Sequence, residues 1–149
     1  MKHINVVRIQ AVKEKSLKYD TKHITGPEVA AGIMGQFIEE SCHTDRENFI
    51  VMCLDNKNKV TAITLTSTGT LNSTQVHPRE VFKSAVLANA ASIILAHNHP
   101  SGETQPSRED IAITERLVDA GKVMGIAVLD HIIIGDNSHV SFKANGLIH

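Results

Sequence analysis

Two cysteines, Cys42 and Cys53, are all that the chain carries. They are too few for a disulfide framework, form no CxxC pair and stand near no histidine pair at finger-like spacing. Two buried thiols in a reducing compartment are expected instead. Charge of one sign is lacking as well. The formal net charge is −1, and Lys and Arg are scattered in ones and twos, so the electrostatic footprint of a nucleic-acid binder is missing. No apolar run approaches the roughly eighteen residues that a membrane span needs. The opening MKHINVVRIQAVKEKSLKYD has charges on both sides of a short apolar stretch and no small-residue cleavage site, so it does not read as a signal peptide. A cytoplasmic address is expected, and no internal repeat or low-complexity tract interrupts the chain.

What remains fits one soluble domain. A chain of 149 residues buries roughly 68–70% of its unfolded surface, enough core to fold without staples. Ile4 to Val12 alternates imperfectly and predicts a short strand, followed by a polar connector, KEKSLKYDTK. Thr25-Gly-Pro-Glu28 has the shape of a capping box, and apolar residues recurring every four positions predict a helix from about Pro27 to Cys42. Glu47–Asp55 and Val60–Thr66 read as a hairpin across NKNK. A second helix opens at His77-Pro78 and runs to about Ala90. Ser92 to Ala96 is a short buried strand. Ser107 starts a third helix ending near Gly121 or Gly125, and Ile126–Ile134 with His139–Phe142 form two strands around GDNS. The order predicts an α/β (α+β mixed) domain, one mixed β-sheet flanked by helices.

The nine histidines matter more by position than by number. Residues 97 to 110 read HNHPSGETQPSRED and follow the apolar run ASIILA. Residues two apart on a strand point to one side, so His97 and His99, placed where strand gives way to loop, can direct both imidazoles at one point. The Pro-containing loop swings the chain round, and Ser107-Arg-Glu-Asp110 sets Asp110 in the first turn of the next helix, where an anion is favoured. Two imidazoles and one carboxylate suit Zn²⁺ better than Mg²⁺ or Ca²⁺, and three protein ligands leave a position for a water whose pKa falls to roughly 7. Such a water needs a base that does not ligate the ion. Glu47, heading an apolar strand, is the choice, with Glu28, Glu39, Glu40 and Glu80 also available. Ser107 reads as a helix N-cap whose hydroxyl retains a hydrogen to offer an oxyanion.

The combination His97-x-His99-Pro100, seven residues, Ser107-x-x-Asp110 resembles the JAMM signature of the JAB/MPN metalloproteases. With the flanking LNSTQVHPREVFKSAVLANAASIILA and LVDAGKVMGIAVLDHIIIG it is similar, from about Thr25 to Phe142, to the RadC-like branch. The resemblance implies a domain over residues 25–149, preceded by residues 1–24 as strand and connector, with a JAB/MPN sheet of cytidine-deaminase-like architecture. It implies one Zn²⁺ on His97, His99 and Asp110, Glu47 as general base and Ser107 supporting the oxyanion. It further implies cleavage of peptide or isopeptide bonds. Longer RadC-like chains carry an N-terminal part resembling helix-hairpin-helix DNA-binding modules, and the residues preceding the resemblance are too few for one.

Two other readings share these residues. Two histidines and a carboxylate also form the facial triad of Fe(II) oxygenases, and a metal-stabilised interaction module linked to DNA or mobile-element processes would use the ion without catalysis. His131 alternates with apolar neighbours and reads as a histidine satisfied inside the sheet or a partner of the ligands, outside the ligand set itself. His77 is expected to serve the start of the second helix, and His3, His23, His43, His139 and His149 to lie at the surface or the ends. Thr70–Val76, rich in hydrogen-bonding side chains, reads either as the border of a substrate groove or as a solvated loop, and an exposed strand edge next to the site would hold an extended peptide.

Overall fold

The computed structural model describes residues 1–69 and 76–149. Three helices, α1 (Pro27–Ser41), α2 (Pro78–Leu87) and α3 (Arg108–Met124), are interleaved with five strands. The strands are β1 (Glu47–Leu54), β2 (Val60–Gly69), β3 (Ser92–Asn98), β4 (Ala127–Gly135) and β5 (Ser138–Ser141). They form one sheet in the order β2-β1-β3-β4-β5. Only β3 and β4 run parallel, joined through α3, and every other pair is antiparallel. This is the mixed sheet flanked by helices that the order of elements predicts.

Period-two alternation divides the core between the two faces of the sheet. Phe49, Val51, Cys53, Ile93, Leu95 and Ile133 pack on one side with Val81, Phe82 and Ala85 of α2 and Ile113 and Leu117 of α3. Ile50, Met52, Leu54, Ile94, Ala96 and Ile132 pack on the other with Ala30, Ile33, Met34 and Ile38 of α1. Because β1 and β3 are covered on both faces, their buried runs are continuous. No described helix is long and apolar enough to cross a membrane.

Local chemistry sets the element boundaries. Asp55 Oδ1 accepts from the N–H groups of Lys57 and Lys59, and Asn58 takes φ +59° to close the β1–β2 turn. Asn137 does the same between β4 and β5 with φ +52°. Of the two glycines expected to end α3, Gly125 is the cap, in the left-handed conformation with φ +71°. Gly121 lies inside the helix, where a Cβ would run into the carbonyl of Ile126.

Three expectations are corrected. Ile4 to Val12 forms no strand: Ile4, Val6, Val7, Ile9 and Val12 are exposed, and alternation makes no strand where the stretch pairs with no neighbour. Only the end of the connector engages the sheet, with Ile24 N–H donating to Asn58 O and Val60 N–H to Lys22 O. The cap of α1 is Gly26, with no side-chain bond, since Pro27 takes the first helical position and Thr25 falls one residue too early. Of the two thiols, Cys53 is buried and Cys42 only partly so.

Burial pushes the Cys53 thiol up from its ordinary value of 9.0 to about 11. Between those values the unfolded chain releases a proton that the folded chain keeps, so stability falls as pH rises through the window. Two pH units correspond to about 2.7 kcal/mol. Denaturant melts from pH 8 to 11 should show wild type losing on the order of 2 kcal/mol more than Cys53→Ala over that range, and parallel curves would remove Cys53 as the cause.

Candidate metal centre

The face of α3 that supplies the core also supplies the site. Asp110, Thr114, Leu117 and Gly121 are buried along one stripe of the helix, so the turn that packs Leu117 under the sheet aims Asp110 at the C-terminal tip of β3. On β3, His97 shares the face of Ile93 and Leu95 and is fully buried, its ring stacked over Phe49 with centroids 6.2 Å apart. His99 lies one step past the strand, held by its N–H donating to Ile134 O at 3.1 Å. The loop folds back through Gly102, whose N–H donates to His99 O at 2.9 Å. Gly102 sits at φ +84°, where a Cβ would strike the Asp136 carboxylate, so this turn requires glycine.

The three predicted ligands meet. His97 Nε2 lies 3.0 Å from His99 Nε2 and 3.3 Å from Asp110 Oδ1, and His99 Nε2 lies 3.2 Å from Asp110 Oδ2. One donor atom from each lies within 4.8 Å of the others, an arrangement able to hold a metal ion. The outward nitrogen of His99 is 2.8 Å from Glu103 O. A carbonyl only accepts, so Nδ1 carries a hydrogen and Nε2 is the nitrogen turned to the cluster. Burial, the largest influence on the Asp110 carboxyl, acts to raise its pKa. The hydrogen bond and charge of His97, the Ser107 N–H and the charge of His99 together outweigh it and hold the group ionised well below the usual carboxylate range.

Ser107 is the N-cap of α3, as its position predicts. Its Oγ accepts from Asp110 N–H at 3.0 Å while its own N–H donates to Asp110 Oδ2 at 2.9 Å. The residue is exposed, and a hydroxyl that accepts in the cap still has a hydrogen to give. The same box fixes the Asp110 rotamer.

Glu47 reaches the neighbourhood through strand register. Phe49 pairs with His97 at the end of the antiparallel β1–β3 ladder, Asn48 N–H reaches Asn98 Oδ1 just beyond it, and Glu47 stands two residues before Phe49 on β1. Glu47 therefore shares the Phe49 and His97 side of the sheet. It lines a cleft of about 480 Å³ with Asp45, Arg46, Gly69 and Pro100. The alternatives Glu28, Glu39 and Glu40 lie on or at the start of α1, across the sheet, and Glu80 pairs with Lys83 on α2. The groove-bordering segment proposed at Thr70–Val76 falls, apart from the buried Val76, outside the described residues.

Sequence reasoning passed over the residue between the histidines. Asn98 points to the opposite face, where its Oδ1 accepts from Asn48 N–H at 2.8 Å and Asn48 Nδ2 at 3.1 Å, and its Nδ2 donates to Arg46 O at 2.9 Å. Thr68 Oγ1 completes the Asn48 amide at 3.1 Å. The residues on either side of Glu47 are thus tied to the histidine tip. The available signal was two amides, Asn48 and Asn98, inside otherwise apolar strands, since a buried amide needs partners. Asn98→Ala strands the Asn48 N–H and the amides around it and should cost about 1–3 kcal/mol in urea unfolding. A cost near zero would contradict the clamp.

The remaining histidines fall as expected, with one refinement. His77 caps α2, its Nδ1 accepting from Arg79 N–H at 3.1 Å. His3, His23, His43 and His149 are exposed and His139 is half-buried. His131 lies in the core but directly behind His97, Nε2 2.7 Å from His97 Nδ1.

Residues 24–147 match the family model described as the RadC-like JAB domain. The chain belongs to that family. Among relatives of the RadC-like domain, a UPF0758 protein of Desulforamulus reducens is 55% identical over 116 residues, 78% of this chain and 51% of that protein. A UPF0758 protein of Desulforudis audaxviator is 54% identical over 121 residues, 81% of this chain and 51% of that protein. A third, of Methanosarcina acetivorans, is 55% identical over 103 residues, 69% of this chain and 45% of that protein. The chain spans about half the length of the curated relatives it matches. The mixed sheet and its helices are consistent with the JAB/MPN fold, and the His97, His99 and Asp110 cluster stands at the end of its central parallel strand.

Proposed function

We propose that this RadC-like domain is a zinc-dependent hydrolase of amide bonds in peptide or isopeptide substrates. The observation that carries the reading is the spacing of the three donors. Two ligands about 2.0–2.1 Å from a tetrahedral ion stand roughly 3.3 Å apart; the two histidine nitrogens are 3.0 Å apart, and Asp110 brings Oδ1 to 3.3 Å from His97 and Oδ2 to 3.2 Å from His99. Calcium distances of 2.3–2.6 Å call for wider spacing and oxygen ligands. The second nitrogen of each imidazole is engaged away from the cluster, as ligating histidines require.

Bound there, the ion supplies Lewis acidity toward a carbonyl and makes water acidic enough to react near neutral pH. The chain's own residues do the rest. Glu47, on the same side of the sheet, takes a proton from the attacking water and returns it to the leaving nitrogen. Ser107, solvent-facing and with its hydroxyl hydrogen available after capping, donates to the oxygen that gains charge as the carbonyl becomes tetrahedral. The cleft beside Glu47 and Pro100 receives the substrate chain.

The test is a screen of peptide and isopeptide-linked libraries with zinc-loaded protein, after elemental analysis of the protein as purified. Cleavage abolished by a chelator and restored by zinc supports the reading. Iron as the resident metal, with oxygen uptake, would favour the Fe(II) facial-triad chemistry that the same donor set permits. A chelator that lowers melting temperature without any amide being cut would favour a metal-stabilised interaction module.

A further inference from the structure

We propose that Thr114 and His131 form a buried relay of hydrogen bonds that holds a hydrogen on His97 Nδ1 and so leaves the Nε2 lone pair to a metal bound at the cluster. Both are positioning residues, and the proposal rests on the metal reading above only in what the lone pair is used for.

The direction follows from counting hydrogens. Thr114 Oγ1 lies 2.7 Å from Asp110 O and 2.6 Å from His131 Nδ1. The carbonyl only accepts, so the single hydroxyl hydrogen goes to Asp110, and the Thr114 oxygen accepts from His131 Nδ1–H. The His131 ring is 1% exposed, set against Phe49 and Phe142, and its polar contacts are Thr114 and His97. A charge there would be buried without a carboxylate on the ring, so the imidazole is neutral and Nε2 bears a lone pair. Two ring nitrogens 2.7 Å apart need one hydrogen between them, and it must come from His97 Nδ1. Nε2 is then the His97 nitrogen left for the cluster, 3.3 Å from Asp110 Oδ1. The chain of bonds runs from the Asp110 backbone through Thr114 and His131 to His97 Nδ1, tying β3, β4 and the start of α3 together. The opposite order would leave His97 Nε2 protonated and unable to ligate.

Two measurements test this. Long-range ¹H–¹⁵N NMR of the zinc-free protein reads the ring hydrogens directly: hydrogen on Nδ1 of both His97 and His131 is expected, and a His97 Nδ1 without hydrogen overturns the proposal. Chelator competition then gives zinc affinity. Thr114→Val, nearly isosteric, should weaken zinc binding about 10–100-fold, the scale of a lost outer partner, and mix the His97 tautomers. Thr114→Ser should restore both. Thr114→Val with unchanged tautomers and affinity, its fold confirmed by melting, also overturns the relay. Absence of zinc binding by wild type would sink the metal reading instead, and the zinc-free spectra would still decide the relay.

Discussion

Glu47→Gln keeps its zinc and loses turnover by about 10²–10⁴-fold, the usual contribution of a positioned general base. The substitution preserves size and removes only the ability to hold a proton. Glu47 is on β1 and belongs to a different element from every donor in the cluster, so zinc content by elemental analysis should equal that of wild type. The neighbouring backbone is fixed through Asn48 and Asn98, and a thermal melt beside the assay checks that the fold persists. Full activity in Glu47→Gln would move the base elsewhere, since Glu28, Glu39, Glu40 and Glu80 are carried by other elements.

Asp110→Ala should lose both the ion and part of the fold's stability, because one carboxylate serves two ends. It is the only anion in a cluster with two imidazoles, and without it the remaining donors hold a divalent ion by nitrogen alone. It also accepts the Ser107 N–H within the capping box of α3, and losing such a cap interaction costs on the order of 0.5–2 kcal/mol. Asp110→Asn separates the two effects. Its amide oxygen can still accept from Ser107, so stability should stay near wild type while zinc affinity falls with the lost charge. If Asp110→Asn bound zinc as tightly as wild type, the carboxylate would have no part in the site.

The parts of the site that were legible in the sequence are those written within fourteen consecutive residues. His97, His99 and Asp110 are joined by a strand end, a loop and a helix start, and each of those has a local signal: period-two spacing, prolines and a Ser-x-x-Asp cap. Glu47 lies fifty residues before His97 and joins them only through the β1–β3 register, which no local pattern encodes. Spacing alone therefore left it among several acids. Asn98, Thr114 and His131 were harder still, because each looks like an ordinary polar residue until packing gives it a partner. The N-terminal alternation failed for the complementary reason: a strand is a property of a pair, and Ile4 to Val12 pairs with no strand of the sheet. The elements with caps, turns and continuous apolar runs, α2, α3 and the two central strands among them, were placed to within about three residues, the ordinary uncertainty of boundaries.

The central claim is that one ion is held by His97, His99 and Asp110 together, and zinc titration of metal-free protein by calorimetry tests it most directly. The account predicts one ion per chain for wild type, and affinity lost by orders of magnitude in His97→Ala, His99→Ala and Asp110→Ala taken singly. Wild type that binds no zinc, or a His97→Ala protein that binds one ion as tightly as wild type, would contradict it.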